Sequence, residues 1–235
     1  MSERQVNNGD RAPESEIDKH RWDFVTATGG ALFGTVAGAL MAFWLERRKR
    51  VVETEDRHVE SVNVAIFNLT QIYAYLSDYQ RQVIERNPPG ARQWYELSRT
   101  RLQPPDLQPF DVRSLAFLFE SEHKDLVNRI AIDLTRYEGF LMHIERAQRY
   151  NDDVQQMARV TTPTPQKISE LETVCGQILI QQVRTAVESI IEFHTRLMPS
   201  VMESAIALGR AVKAMYPDRT IIHFEDVNKA ISSPV

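Results

Sequence analysis

The chain has 235 residues, of which 43% are hydrophobic and 26% charged, a balance that suits one folded domain with an appendage and excludes a polytopic membrane protein. The formal net charge is −4, and residues 51–235 hold 20 basic and 25 acidic side chains, which argues against general nucleic-acid binding through a broad cationic face. The single cysteine, Cys175, cannot form an internal disulfide, so the sequence suits a reducing compartment.

An uncharged stretch follows a short polar tail at residues 1–23. Residues 24–45 carry no charge, and a helix of this length covers about 33 Å, which is the thickness of a bilayer core. Trp22 and Trp44 stand at its two edges, where amphipathic rings favour the lipid headgroups. A cleaved signal peptide fits less well, because the preceding tail is long and partly acidic. The pattern predicts one transmembrane helix.

The basic residues around this stretch predict its orientation. In the 15 residues before it there are three, namely Arg11, Lys19 and Arg21, and in the 15 residues after it there are five, namely Arg47, Arg48, Lys49, Arg50 and Arg57. Because Lys and Arg resist translocation, we expect a single pass through a bacterial-type inner membrane, with the N-terminal tail outside and the C-terminal part cytoplasmic. The predicted anchors at the membrane interface are Trp22, Trp44, Arg47, Arg48, Lys49 and Arg50.

Small residues recur at every fourth position of the predicted span. The ridge that we call the small-residue face consists of Thr26, Gly30, Gly34, Gly38 and Ala42. Helices in lipid associate through close backbone approach, which such GxxxG spacing permits. The sequence therefore predicts that this face packs against a second helix. Since only one span is predicted, that helix belongs to another copy, in a homo-oligomer, or to another protein.

We predict an amphipathic juxtamembrane helix over residues 46–86, because no glycine or proline occurs between Gly38 and Pro88. Its apolar stripe has steps of three and four residues: Val59, Val62, Ile66, Leu69, Tyr73, Leu76, Gln80 and Val83. One interpretation is a parallel coiled-coil stalk. The other is that the stripe faces the chain's own helices, and the extra apolar residues Ala65, Tyr75 and Tyr79 favour this interpretation.

Residues 87–112 predict a proline-rich loop around a short helix containing Trp94 and Tyr95. We predict a cytoplasmic helical bundle over residues 113–216, with Asp111 as the cap of its first helix. That first segment reads as one long helix, and a break near Ser121 is the alternative. A further helix is predicted to start with Thr164 as cap and Pro165 in the first turn, and to kink or divide at Pro199.

Residues 217–235 form a C-terminal tail in which "DRTIIHFEDV" has local strand character without a strand to pair with. Short polar breaks between long amphipathic segments return a chain alongside itself. We therefore expect an all-α fold, with one N-terminal transmembrane helix followed by an antiparallel cytoplasmic bundle of three to five helices.

Motifs for chemistry are sparse in this sequence. It contains no zinc, EF-hand or phosphate-loop motif, so we expect no metal and no cofactor. The stretch "RYEGFLMH" places Arg136 and His143 seven residues apart, which resembles the arginine–histidine motif of HEPN-domain ribonucleases. That resemblance implies a helical nuclease in which the histidine acts as acid or base and the arginine stabilises charge on phosphate.

Three functions are consistent with these features. The leading expectation is a membrane-anchored, self-associating structural component or membrane effector, for example in antiphage defence, that is not a classical enzyme. The second is a passive scaffold that recruits a cytoplasmic protein partner. The third is a membrane-tethered HEPN-like ribonuclease that uses Arg136 and His143.

Overall fold

The computed structural model describes the backbone of residues 14–90, 93–161, 173 and 175–232, and the side chains of residues 35–90, 93–158, 173, 175–227 and 229. Its elements, in chain order, are α1 (Glu14–Tyr79), a π-helical turn (Gln80–Ile84), α2 (Gln93–Arg99), a 3-10 helix (Val112–Glu120), α3 (Lys124–Thr161), α4 (Gln177–Met215) and α5 (Phe224–Ser232). These described residues contain no β-strand, which confirms the predicted all-α class.

The chain divides into two compact units, Met1–Thr54 and Glu55–Val235, with the division inside α1. The hydrophobic core belongs to the second unit, where the later part of α1 packs with α3 and α4. Large side chains that are fully buried there include Ile66, Leu76, Phe140 and Leu197. The second unit is therefore a helical bundle with its own core.

Contacts along the helices establish their directions. In the later part of α1, His58 contacts Tyr216, which follows the last residue of α4. Further along α1, the Leu76 carbonyl oxygen bonds to His194, which lies earlier in α4. Likewise Asp133 of α3 bonds to Ser204, while the Val154 carbonyl oxygen lies near Cys175. Helix α4 thus runs antiparallel to both α1 and α3, as the antiparallel bundle prediction requires.

The apolar stripe of α1 faces helices of the same chain. Six of its eight residues are buried in the common core: Val59, Val62, Ile66, Leu69, Leu76 and Val83. Tyr75 and Tyr79 are also buried, so the face is wider than a coiled-coil seam. Packing within the chain, rather than a stalk between chains, therefore accounts for this stripe.

The start of the bundle has the predicted cap at Asp111, but a break at Ser121, the alternative interpretation, takes the place of one long helix. Asp111 caps the 3-10 helix by accepting a hydrogen bond from the Arg113 backbone N–H at 2.9 Å. The Ser121 hydroxyl ends that helix, since it donates to the Leu118 carbonyl oxygen at 2.7 Å and accepts from the His123 N–H at 3.1 Å. Such local side-chain bonds compete with helix continuation. The predicted cap Thr164 and Pro165 lie outside the described residues.

Two other features differ from the sequence-based expectation. Helix α4 continues through Pro199, so of the two predicted effects of this proline, a kink or a division, the division does not occur. Pro199 is exposed, and water can therefore satisfy the carbonyl group that loses its N–H donor. The C-terminal tail contains helix α5, whose Phe224 is buried against Tyr73 with ring centroids 5.2 Å apart. Tertiary packing of one aromatic ring thus orders a segment that has local strand character.

A buried carboxyl group joins α3 to α4. Asp133 is fully buried, and its two carboxyl oxygens accept hydrogen bonds from the Ser200 and Ser204 hydroxyls, both at 2.6 Å. A buried polar group without partners would cost free energy, and the two serines remove that cost. The pairing also fixes the axial register of α3 against α4.

Replacing Ser204 by alanine should therefore lower the free energy of unfolding by about 1.5–3 kcal/mol, because a buried acceptor loses its donor. The matched variant Ser200→Ala should have a smaller effect, since Ser200 is half-buried and water can replace its hydroxyl. Urea unfolding of both variants gives the comparison. Equal effects, or no effect of Ser204→Ala, would contradict this account of Asp133.

Candidate functional site

A run of exposed residues occupies the described part of the first unit. Every side chain from Thr35 to Arg50 is exposed, although residues 35–45 are uncharged. The large apolar side chains are exposed by half or more: Val36, Leu40, Met41, Phe43, Trp44 and Leu45. At 3.6 residues per turn they cover about 200° of the helix circumference, and the remaining arc holds Thr35, Gly38, Ala39 and Ala42. Large and small side chains therefore occupy opposite sides of this segment.

The small-residue face is described only in part. Gly38 has open space beside it, because a Cβ atom built there would meet no described atom within 4 Å apart from the adjacent backbone of α1. Ala42, four residues later, is exposed on the same side. For Trp22, Thr26, Gly30 and Gly34 the structure describes only the helical backbone of α1, so their surroundings lie outside the described part.

The basic residues next to this segment differ in their partners. The Arg48 guanidinium lies 5.5 Å from the centre of the Trp44 ring. Arg50 pairs with Glu46 at 2.5 Å, and Lys49 approaches Glu53 at 3.8 Å. Arg47 and Arg48 form no ion pair with any described residue. The Trp44 ring, with the Arg48 guanidinium over it, and Arg47 therefore stand at the end of the uncharged stretch.

In the part of the chain with described side chains, no helix has an apolar run of the length that crossing a membrane requires. The first half of the predicted span, residues 24–34, has its side chains outside that part.

The proposed nuclease pair lies on one helix but not in one site. Arg136 is exposed on α3, whereas His143 is half-buried, with its ring centre 5.1 Å from that of Phe193 on α4. Gly139 lies between them and allows this packing, since a Cβ atom there would come within 3.2 Å of the Phe193 ring. Burial and the nearby Arg146 guanidinium both lower the pKa of His143.

His143 does line a groove between α3 and α4, which we call the α3–α4 groove. Its volume is about 1070 Å³, and its polar walls comprise His143, Arg146 and Tyr150 of α3 and Gln181, Arg184 and Ser189 of α4. Arg136 is not among its lining residues. The structure therefore brings His143 together with Arg146 and Arg184 rather than with Arg136.

Sequence reasoning did not identify this groove. Arg146 and Arg184 are far apart in the chain, and both line this groove because α3 and α4 pack side by side. The one local signal was the spacing of His143 and Arg146, which places both side chains on the same helix face.

Across the described residues, no three His, Cys, Asp or Glu side chains come together in a way that could hold a metal ion. Cys175 is a buried free thiol, and burial raises its pKa, as in an unreactive structural cysteine. No known protein family, no curated protein and no solved structure matches this chain.

Proposed function

We propose that this chain is a single-pass membrane protein that self-associates through the small-residue face and acts as a structural component or membrane effector. Residues 24–45 cross the bilayer, with the N-terminal tail outside and the helical bundle in the cytoplasm. The observation that carries the proposal is the exposed, uncharged segment Thr35–Leu45, on which large and small side chains occupy opposite sides.

Exposed apolar side chains of this size favour a lipid environment. Full transfer of one large apolar side chain out of water is worth about 1.5–3 kcal/mol, and this segment carries six of them next to each other. A contiguous patch of this kind is rare on the surface of a soluble monomer. The Trp44 ring and the guanidinium groups of Arg47 and Arg48 then lie where headgroup phosphates would meet them.

The small side of the segment supports self-association. Lipid already surrounds apolar side chains, so helices in a bilayer gain mainly from close packing and not from hiding apolar surface. Gly38 and Ala42 present little side chain, and apart from the adjacent backbone of α1 no described atom lies within 4 Å of a Cβ atom built at Gly38. A second helix can therefore approach the backbone on this side.

Substitution of Gly38 tests self-association without disturbing the fold of the single chain. Gly38→Ile should weaken the oligomer in detergent by about tenfold or more in dissociation constant, because the added side chain separates the helices. The matched control is Ala37→Ile, which adds the same side chain on the side of the large residues. Native mass spectrometry measures both. If Gly38→Ile and Ala37→Ile retain the wild-type oligomer equally, the small-residue face is not the interface.

Membrane insertion is tested separately by alkaline carbonate extraction of membranes that contain the full chain. After extraction, the chain should stay with the membrane pellet. In a separate experiment on unextracted membranes, a protease added on the non-cytoplasmic side should leave the bundle intact. Recovery of the intact chain in the supernatant would contradict the proposed span.

An effector and a passive scaffold differ in what expression does to the membrane. An effector should depolarise it, and Gly38→Ile should remove that effect while Ala37→Ile preserves it. A scaffold should leave the membrane potential unchanged in all three cases. Potential-sensitive dyes in cells that express the three proteins distinguish the two roles.

A further inference from the structure

Two arginines continue one side of α1 beyond the uncharged stretch. The exposed large apolar residues define that side, which we call the large-residue side: Val36, Leu40, Met41, Phe43, Trp44 and Leu45. Arg47 lies four residues after Phe43, and Arg48 lies four residues after Trp44. Residues four apart share a helix face, so both arginines continue the large-residue side. Both side chains are exposed.

The charges that continue the opposite side are paired within α1. Glu46 and Lys49 follow Ala42 by four and seven residues, so they continue the small-residue face. Arg50 pairs with Glu46 at 2.5 Å, and Lys49 lies 3.8 Å from Glu53. The basic residues nearest to the small-residue face therefore have acidic partners on the same helix.

Arg47 and Arg48 lack such acidic partners, since neither forms an ion pair with any described residue. The Arg48 guanidinium lies 5.5 Å from the centre of the Trp44 ring. An aromatic ring attracts a cation and restricts its position, but it carries no net charge that would balance the arginine. Two like charges at neighbouring positions repel each other, and an anion beside them would relieve that repulsion.

The anion that fits this position is the phosphate of a phospholipid. In the proposed orientation, Arg47 and Arg48 lie at the cytoplasmic surface of the bilayer, and the large-residue side faces lipid. A guanidinium fork binds two phosphate oxygens at once. A zwitterionic phospholipid also carries an ammonium group, which two arginines would repel. A headgroup without that cation is therefore the better partner.

We propose that Arg47 and Arg48 bind the headgroup phosphate of an anionic phospholipid in the cytoplasmic leaflet. This inference rests on the proposed membrane span and names the partner of its large-residue side. The same arrangement suits self-association through the other side. Because Arg50 and Lys49 are paired with acidic residues, a second copy can approach the small-residue face without meeting two unbalanced cations.

Native mass spectrometry of the full chain in neutral detergent tests the headgroup contact. The probes are phosphatidylglycerol and phosphatidylcholine with the same acyl chains, added in equal amounts. The wild-type chain should retain phosphatidylglycerol over phosphatidylcholine by about tenfold or more, because each arginine near an anionic headgroup contributes a several-fold preference. A detergent micelle offers both lipids to both ends of the span, so the orientation of the chain does not affect the comparison.

Two double variants with the same change of charge distinguish a headgroup site from diffuse attraction. Arg47→Gln with Arg48→Gln should bring the retention of the two lipids to within about twofold of each other. Lys49→Gln with Arg50→Gln removes the same charge from the next two positions and should keep most of the preference. All of these side chains are exposed, so both variants should have the far-ultraviolet circular dichroism of the wild type.

Three results would overturn the proposal. An equal loss of preference in the two double variants would show that the lipid responds to total charge and not to Arg47 and Arg48. Equal retention of both lipids by the wild-type chain would refute the headgroup contact alone and leave the membrane span in place. A wild-type chain that retains neither lipid would contradict the span as well.

Discussion

Phe140→Ala is expected to lower the free energy of unfolding by about 3–5 kcal/mol, which is the usual cost of a large cavity in a core. Phe140 is fully buried on α3 and lies edge-on to Tyr79 of α1, with ring centroids 5.3 Å apart. Its ring also lies 6.2 Å from that of His194 on α4. The Phe140 ring therefore contacts side chains of two other helices, and its replacement by alanine would remove both contacts at once.

The control for this prediction lies two residues away on the same helix. Met142 is 49% exposed, so Met142→Ala should change the free energy of unfolding by no more than about 0.5 kcal/mol. Phe140→Leu should fall between the two, because it keeps much of the buried volume. Urea unfolding followed by near-ultraviolet circular dichroism measures the effect on tertiary packing. A loss below about 1 kcal/mol for Phe140→Ala would mean that the three helices do not share this core.

The fold could be predicted to the level of a helical bundle, because periodicity reports which side of a helix is apolar. The stripe of α1 from Val59 to Val83 was visible in this way, and its excess breadth at Tyr75 and Tyr79 indicated packing within the chain. Periodicity does not report what a polar residue does once it is buried. Asp133 reads as an ordinary surface carboxylate in the sequence, and only its pairing with Ser200 and Ser204 explains its burial.

The two candidate sites also differ in how far the sequence alone predicts them. The small-residue face is a local pattern along one helix, so residue spacing alone suggests it. The α3–α4 groove depends on two residues from separate helices, and the sequence gives no spacing that relates Arg146 to Arg184. Arg136 and His143 match a local spacing on one helix, but only His143 lines the groove. Short spacing within a helix thus identifies a shared face but not a shared cavity.

Acidification below pH 6.5 is expected to destabilise the bundle through its buried histidine. His194 is 3% exposed, and its Nε2–H donates to the Leu76 carbonyl oxygen at 2.9 Å. Burial lowers the pKa of His194 below the ordinary histidine value of about 6.5, while the hydrogen bond to Leu76 partly opposes this. In the unfolded chain the pKa returns to about 6.5, so the unfolded state binds the proton first.

Because the pKa of His194 is lower in the folded chain than in the unfolded chain, the stability of the protein decreases as the pH falls. Above pH 6.5 His194 is neutral in both the folded and the unfolded chain, so its contribution to the free energy of unfolding is fully present. Between the folded and the unfolded pKa of His194, only the unfolded chain holds the proton. The free energy of unfolding should therefore fall as the pH falls, by at most about 1.4 kcal/mol per pH unit for this one group. Burial also lowers the pKa of His58 and His143, so these groups add to the effect with the same sign.

His194→Gln isolates the contribution of the buried ring. The glutamine amide can still donate to the Leu76 carbonyl oxygen but does not titrate, so the slope of stability against pH should decrease between pH 7 and pH 5. Carboxylates titrate in the lower part of this range in every variant, so the difference in slope between His194→Gln and the wild type carries the information. Identical slopes for His194→Gln and the wild type would mean that His194 takes up its proton without opening the contact between α4 and α1.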